Sequence, residues 1–144
     1  MARAGAGIVP ASDSAVHASV THRICMAWAD CVFKVGLHCT SVYLRCSEGF
    51  SEANQFILEE AKATLLTVRG PWIVAADWNI SPETLAESGW LKLVGGVIFA
   101  TALPRCNDST YDCSVLHHSI AHAAAGVQRL DDTGCNPHWP TRLI

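Results

Sequence analysis

The alternation of hydrophobic and polar positions predicts strands and helices in turn along the chain. The clearest helix is expected over residues 51–69, where Ser51 is a good N-cap and Gly70 with Pro71 ends the helix. Directly after it, residues 72–76 form a continuous apolar run, which is typical of a central strand covered on both faces. The apolar stripe of the helix consists of Ala53, Phe56, Ile57, Ala61, Leu65 and Val68.

A second, short helix and several more strands complete the prediction. Ser81 caps this helix, Pro82 stands at its first position and Gly89 ends it. Residues 1–22 are rich in Ala, Gly and Ser and are expected to be loosely ordered, which leaves 23–144 as one domain. The order of elements indicates an α/β fold with more strands than helices. The remaining strand candidates are residues 24–28, 31–35, 38–44, 91–100, 111–116, 126–130 and 139–144.

Composition excludes several classes of protein. The chain has 144 residues, of which 50% are hydrophobic and 16% charged, so it is not intrinsically disordered. No uncharged apolar run reaches the roughly 18 residues of a membrane span, and the first 24 residues lack the apolar core of a secretory signal. We therefore expect a soluble intracellular protein of the cytoplasm or nucleus. The seven cysteines, an odd number, are expected to be reduced thiols.

Charge and metal-ligand spacing favour neither a basic nucleic-acid surface nor a zinc site. The net charge is −3, and Arg105, Arg129 and Arg142 are too scattered to predict a nucleic-acid groove. This weakens a nucleic-acid interpretation without excluding it, because a metal ion can supply positive charge. His118 and His122 have the i, i+4 spacing of a zinc pair only if that segment is helical, and no Cys-x-x-Cys is present.

Asp77 and Asn79 follow the predicted central strand and precede the short helix. The carboxyl end of a buried strand is a common site location in open α/β sheets. If the chain stays extended, both side chains point the same way, so that one holds a metal or water and the other bonds an oxyanion. The alternative is an Asp and an Asn that only open a turn and cap a backbone.

Residues 70–82 resemble the endonuclease/exonuclease/phosphatase superfamily, whose hallmark is a buried strand that ends in Gly-Asp-Phe-Asn. Here Ala76 and Trp78 stand in place of the Gly and the Phe. Three further segments occur in the order of the family. They are residues 41–44, which are similar to a strand with a phosphate-contacting Tyr; 111–116, similar to a strand with a second Asp; and 136–140, similar to the closing Ser-Asp-His-x-Pro.

The resemblance implies an incomplete two-sheet α/β sandwich and a metal-dependent phosphoesterase, most of all a nuclease-like phosphodiesterase. Asp77 would activate the attacking water, and Asn79 and Tyr43 would contact the phosphate of the substrate. His138, oriented by Asp112, would stabilise the developing negative charge. The implied cofactor is Mg²⁺ or Mn²⁺, and the implied partner is a phosphodiester substrate, with nucleic acid among the candidates.

Two departures concern the metal. The early strands that carry an Asn and the metal-binding Glu in the family have no counterpart here, and Pro137 replaces a metal-binding Asp, which leaves Asp77 as the metal ligand. We therefore expect a partial domain whose sheet a further polypeptide segment could complete. Two hypotheses stand: an active phosphodiesterase, or an inactive fragment or degenerate copy that acts as an interaction module.

Overall fold

The computed structural model describes residues 16–18, 21–30, 33–104, 110–131 and 139–144. Its main element is a six-stranded mixed sheet with the order β1-β2-β3-β4-β6-β5, and β7 and β8 form a separate two-stranded sheet. The strands are β1 (Val16–Ala18), β2 (Ile24–Ala29), β3 (Leu37–Tyr43), β4 (Trp72–Asp77), β5 (Gly96–Phe99), β6 (Asp112–His117), β7 (Val127–Arg129) and β8 (Thr141–Leu143). The helices are α1 (Glu52–Thr67), α2 (Pro82–Glu87), α3 (Trp90–Val94) and α4 (His118–Ala121). This confirms the predicted α/β class.

The central strand β4 lies between β3 and β6, as the apolar run predicts. It pairs with β3 in parallel through the α1 crossover and with β6 antiparallel. The expectation that both faces of β4 are covered holds only in part. Val74 is fully buried and Ile73, on the opposite face, packs against a smaller apolar cluster, but Ala75, on the same face as Ile73, is exposed. The helices α1, α2 and α3 lie on the face that includes Val74.

The main core lies between this face and the three helices. Leu85 and Trp78 are completely buried there, and the Trp78 and Trp90 rings meet edge to face with centroids 5.5 Å apart. The two indole N–H groups donate to buried carbonyls, Trp78 to Cys113 at 3.1 Å and Trp90 to Leu58 at 2.8 Å. Tryptophan is stable in this core because each polar tip has a partner.

A second, smaller apolar cluster lies on the opposite face of the sheet. Leu37, Leu116 and Ile120 are buried there, and Leu143 of β8 is among the half-buried residues packed against them. The small β7–β8 sheet and α4 thus cover one end of this face. Toward the other end, Ala75 is exposed.

Helix α1 confirms the prediction for 51–69, with one error of orientation. The Ser51 hydroxyl accepts from the Asn54 N–H at 3.3 Å, as an N-cap does. Phe56, predicted in the apolar stripe, is 63% exposed, and Asn54 is fully buried instead. The Asn54 amide accepts from Arg45 N–H at 2.7 Å and donates to the carbonyls of Arg45 and Gly49 at 3.1 and 2.8 Å.

Three other expectations need correction. Residues 33–35 of the predicted 31–35 strand form a turn, because Gly36 adopts a φ of +75° and donates to the Phe33 carbonyl at 2.8 Å. In the predicted strand 91–100, the first part is helix α3, since Gly89 and Gly95 both take left-handed conformations and bound a single turn before β5. Within 1–22, residues 16–18 form an edge strand on β2 rather than loose chain.

Other parts of the prediction fall partly outside the described residues. The domain boundary at residue 23 stays a prediction. Of the seven cysteines, Cys25, Cys39, Cys46 and Cys113 form no disulfide bond in the structure. Among the described residues, no helix is long and apolar enough to cross a membrane.

Candidate active site

One row of the sheet brings together three of the predicted site residues. Tyr43 of β3 is paired in register with Asp77 of β4, and Asp77 is paired with Asp112 of β6. Directly paired residues of adjacent strands project their side chains to the same face. The predicted phosphate-contacting Tyr and the two predicted carboxylates are therefore neighbours at one edge of the sheet, on the face that Ala75 leaves open.

The backbone holds this row in register beyond the ends of the strands. Leu44 N–H donates to the Asp77 carbonyl, and Trp78 N–H donates to the Tyr111 carbonyl, both at 3.0 Å. The β3–β4 and β4–β6 ladders thus continue one residue past the site. Because Trp78 is completely buried, the residue after Asp77 is fixed in the core, and the strand pairing fixes the residues before it.

Asn79 reaches the same place by a turn and not by extended chain. Its φ is +48°, in the left-handed region that Asn tolerates, so the expectation of an extended 77–79 segment is wrong. Asn79 N–H donates to Asp77 Oδ1 at 3.3 Å, and Asn79 Nδ2 donates to the Leu44 carbonyl at 2.8 Å. The turn interpretation therefore describes the backbone, yet it places the Asn79 side chain near Tyr43, close enough to influence the pKa of that hydroxyl.

The electrostatics show that Tyr43 and Asp77 are close. The pKa of Tyr43 is raised above 10.0, first by burial, next by the negative charge of Asp77 and then by Cys46. The Arg23 guanidinium, 5.0 Å above the Tyr43 ring, and the hydrogen bond from Asn79 oppose this rise. Tyr43 consequently keeps its hydroxyl proton at neutral pH and remains a hydrogen-bond donor.

The second carboxylate is more deeply placed. Asp112 is only 9% exposed, so its environment is that of a buried polar group, and buried carboxylates in proteins have partners. Asp112 is the first residue of β6, as the predicted strand 111–116 requires. His138, Asn136 and Pro137 lie outside the described residues, so the predicted orientation of His138 by Asp112 stays a prediction.

The oxygen ligands of Asp77 and Asp112 suit a magnesium site that has two protein carboxylates. Mg²⁺ takes oxygen ligands and is commonly held by one or two carboxylates together with substrate phosphates. Asp77 and Asp112 are two such carboxylates, side by side. Across the described part of the chain, no three His, Cys, Asp or Glu side chains form a cluster that could hold a metal, and this includes His118 and His122.

Sequence analysis missed two residues near this row. Arg23 and Arg45 lie 22 positions apart in the sequence, but the β2–β3 pairing brings the start of β2 beside the end of β3, where Tyr43 N–H donates to the Arg23 carbonyl at 3.0 Å. Only the pairing of these two strands could have revealed the two arginines as a group. In the sequence, the two predicted strands 24–28 and 38–44 follow one another closely, and this closeness is the signal for their pairing.

Comparison with known proteins gives the fold. No family sequence model and no curated protein sequence matches the chain. Among solved structures, the chain is similar to cytolethal distending toxin from Actinobacillus actinomycetemcomitans (TM-score 0.67, 15% identity, 94% of this chain and 59% of that chain). It is also similar to the endonuclease domain of TRAS1, a telomere-specific non-LTR retrotransposon (0.69, 14%, 90% and 65%). A third is the human Nocturnin catalytic domain (0.51, 13%, 92% and 52%).

These structures share the endonuclease/exonuclease/phosphatase-type fold, so the resemblance seen in the sequence is confirmed at the level of the fold. The chain spans 59% of the toxin chain and 65% of the TRAS1 domain. At 13–15% identity the likeness concerns the arrangement of the backbone.

Proposed function

We propose that this chain carries the residues of a nuclease-like phosphodiesterase site that activate water and contact the phosphate. The observation that carries the proposal is the row Tyr43–Asp77–Asp112, with Asn79 turned back onto it. One of the similar structures is an endonuclease domain, which supports a nucleic acid as the phosphodiester.

The roles follow from what phosphodiester hydrolysis requires. Water attacks phosphorus, a new P–O bond forms, and the ester P–O bond to the leaving oxygen breaks. Asp77 takes the proton of the water, and the Asn79 N–H, which donates to Asp77 Oδ1, holds the carboxylate in place. The leaving oxygen takes a proton from solvent.

Charge accumulates on the non-bridging oxygens, where donors are needed. Tyr43 offers its hydroxyl, and Asn79 offers the amide N–H that its bond to the Leu44 carbonyl does not use, which in the free protein lies toward Tyr43. In this proposal His138 stabilises the same charge, with Asp112 favouring its protonated form. Asp77 and Asp112 would hold a divalent ion, Mg²⁺ or Mn²⁺, which would supply positive charge to the phosphate oxygens.

Metal dependence tests this proposal. Hydrolysis of a generic phosphodiester by the purified chain should require Mg²⁺ and stop in EDTA. Asp112→Asn should lower the rate by about 10-fold or more, because loss of even an outer partner of a metal site typically costs about 10–100-fold and Asp112 is proposed to hold the ion itself. Ser114→Ala, two residues along β6 on the same face, is the matched control and should keep the wild-type rate. Equal rates with Mg²⁺ and with EDTA would refute the proposal.

A second candidate function has its own observation. The open end of the sheet around Ala75 and the small donor set also suit a domain that associates with another polypeptide without catalysis. This candidate gives folded protein with no turnover in either condition and no stabilisation by Mg²⁺.

A further inference from the structure

A groove opens beside the candidate active site, between the start of β2, the end of β3 and the first turns of α1. Its volume is about 470 Å³, and its chemically distinctive walls are Arg23, Arg45, Glu52 and Phe56. We call it the arginine groove. None of these four residues has a role in the reaction described above.

Arg23 links the groove to the candidate active site, because it lines the groove and also contacts Tyr43. The Arg23 guanidinium lies over the Tyr43 ring, 5.0 Å from its centroid, and Tyr43 is the neighbour of Asp77 across the sheet. A polymeric substrate whose phosphate contacts Tyr43 can therefore extend past Arg23 into the groove.

Phe56 is the second distinctive feature. It is 63% exposed, whereas the next residue, Ile57, is 2% exposed and belongs to the core. Helix α1 thus needs Ile57 for the fold and presents Phe56 to the groove. An exposed aromatic ring beside guanidinium groups is the combination that binds nucleobases, since the base stacks on the ring and the arginines meet the phosphates.

Charge limits how many phosphates the groove can hold. Arg45 pairs with Glu48 at 3.6 Å, but both side chains are well exposed, and such pairs are weak. Glu52 adds a negative charge in the first turn of α1. Because the carboxylates of Glu48 and Glu52 offset part of the positive charge of the two arginines, the groove suits one or two phosphates and not a long duplex backbone.

We propose that the arginine groove binds one unpaired nucleotide of a nucleic-acid strand, its base stacked on Phe56 and its phosphate held by Arg23 and Arg45. The proposal rests on the proposed function, because it names the substrate of that site as a nucleic acid with an unpaired base beside the scissile phosphate. A duplex would have to unstack this base to enter the groove.

Binding in the presence of EDTA tests the proposal without turnover. A single-stranded oligonucleotide that contains 2-aminopurine is titrated with the chain, and fluorescence anisotropy and quenching are recorded. Phe56→Ala should weaken binding about 5- to 100-fold and abolish the quenching, as removal of one stacking ring does. Leu66→Ala, an equally exposed apolar residue of α1 at 62%, is the matched control and should bind like wild type.

The arginines are tested by salt dependence. Arg45→Gln should weaken binding and reduce the slope of log K against log[salt] by about 0.7 for each phosphate that the variant no longer neutralises. Arg69→Gln, an exposed arginine outside the groove, should leave the slope unchanged. Wild-type chain should also bind the single strand more tightly than a blunt duplex of the same sequence.

The outcomes separate this proposal from the proposed function. If Phe56→Ala binds as Leu66→Ala does, or if the wild-type chain binds no oligonucleotide, the groove proposal is overturned. If wild type binds with the predicted Phe56 and Arg45 effects but hydrolyses nothing with Mg²⁺, the groove proposal holds and the catalytic one fails. Circular dichroism melting of each variant verifies that it is folded.

Discussion

The two faces of the six-stranded sheet differ in the size of their side chains and in what covers them. On the helix-covered face, the paired residues Thr40, Val74 and Val115 form one row across adjacent strands and are 0–3% exposed. The corresponding row on the other face is Ser41, Ala75 and Ser114, of which Ala75 is exposed. One face therefore supplies most of the buried apolar surface, and the other combines the smaller cluster around Leu116 with small and polar side chains near Ala75.

The position of the candidate site follows from this difference. Tyr43, Asp77 and Asp112 stand one row beyond the small residues of the open face. Carboxylates on the helix-covered face would have to be desolvated among valines, which costs several kcal/mol each. On the other face Asp77 is half-buried and can face a substrate, and Asp112, at 9% exposed, has a partner within the protein.

The largest expected effect compares two neighbouring residues of β4. Val74→Lys should destabilise the fold by about 4 kcal/mol or more, because it buries an unpaired charge among apolar side chains. Ala75→Lys should change the free energy of unfolding by less than about 0.5 kcal/mol, since its ammonium reaches water. Urea denaturation of both variants measures this. Similar losses of stability in the two would mean that the second face is covered as well.

Asn54 tests how much a buried polar side chain contributes to stability on the helix-covered face. Its buried amide makes two hydrogen bonds with the Arg45 backbone and one with the Gly49 carbonyl. Asn54→Ala should cost about 1–3 kcal/mol, because these backbone groups are left without their partners. Gln55→Ala, an exposed neighbour, is the control in the same denaturation experiment. A cost below about 0.5 kcal/mol for Asn54→Ala would show that water replaces the amide.

The smallest effect is a pH dependence at the open face. Because the pKa of Tyr43 is raised in the native state, this state binds more protons than the unfolded chain above pH 10, so stability should fall as the pH rises past 10. Tyr43→Phe should remove this part of the fall, and Tyr111→Phe, at the only other tyrosine, should not. Thermal melts between about pH 9 and pH 11 compare the three proteins. A fall that is the same in Tyr43→Phe would contradict a raised pKa.

Much of the fold could be predicted because local patterns and tertiary structure agree. Helix α1, strand β4 and the Ser81–Pro82 start of α2 follow from caps, breakers and apolar runs that act over a few residues. The site row could be predicted only through the family resemblance, since the register that aligns residues 43, 77 and 112 depends on strands far apart in sequence.

The errors occur where a tertiary contact overrides the local pattern. Phe56 has the spacing of a core residue, but Asn54 is buried in the helix instead because its amide satisfies the 45–50 loop. Residues 91–94 are apolar enough for a strand, yet the two left-handed glycines enclose one helical turn there. The hydrogen bond of Asn54 to a loop carbonyl decides the first case, and the buried hydrogen bond of Trp90 contributes to the second. The spacing of apolar residues in the sequence predicts neither contact.

The central claim is that Asp77 activates water on the open face of the sheet. The most direct test is the rate of phosphodiester hydrolysis by wild type and by Asp77→Asn, each divided by the fraction of folded protein. Removal of the general base should lower the rate about 10²- to 10⁴-fold, with the melting temperature nearly unchanged. Equal rates in two equally folded proteins would contradict the claim and leave the row Tyr43–Asp77–Asp112 without a catalytic role.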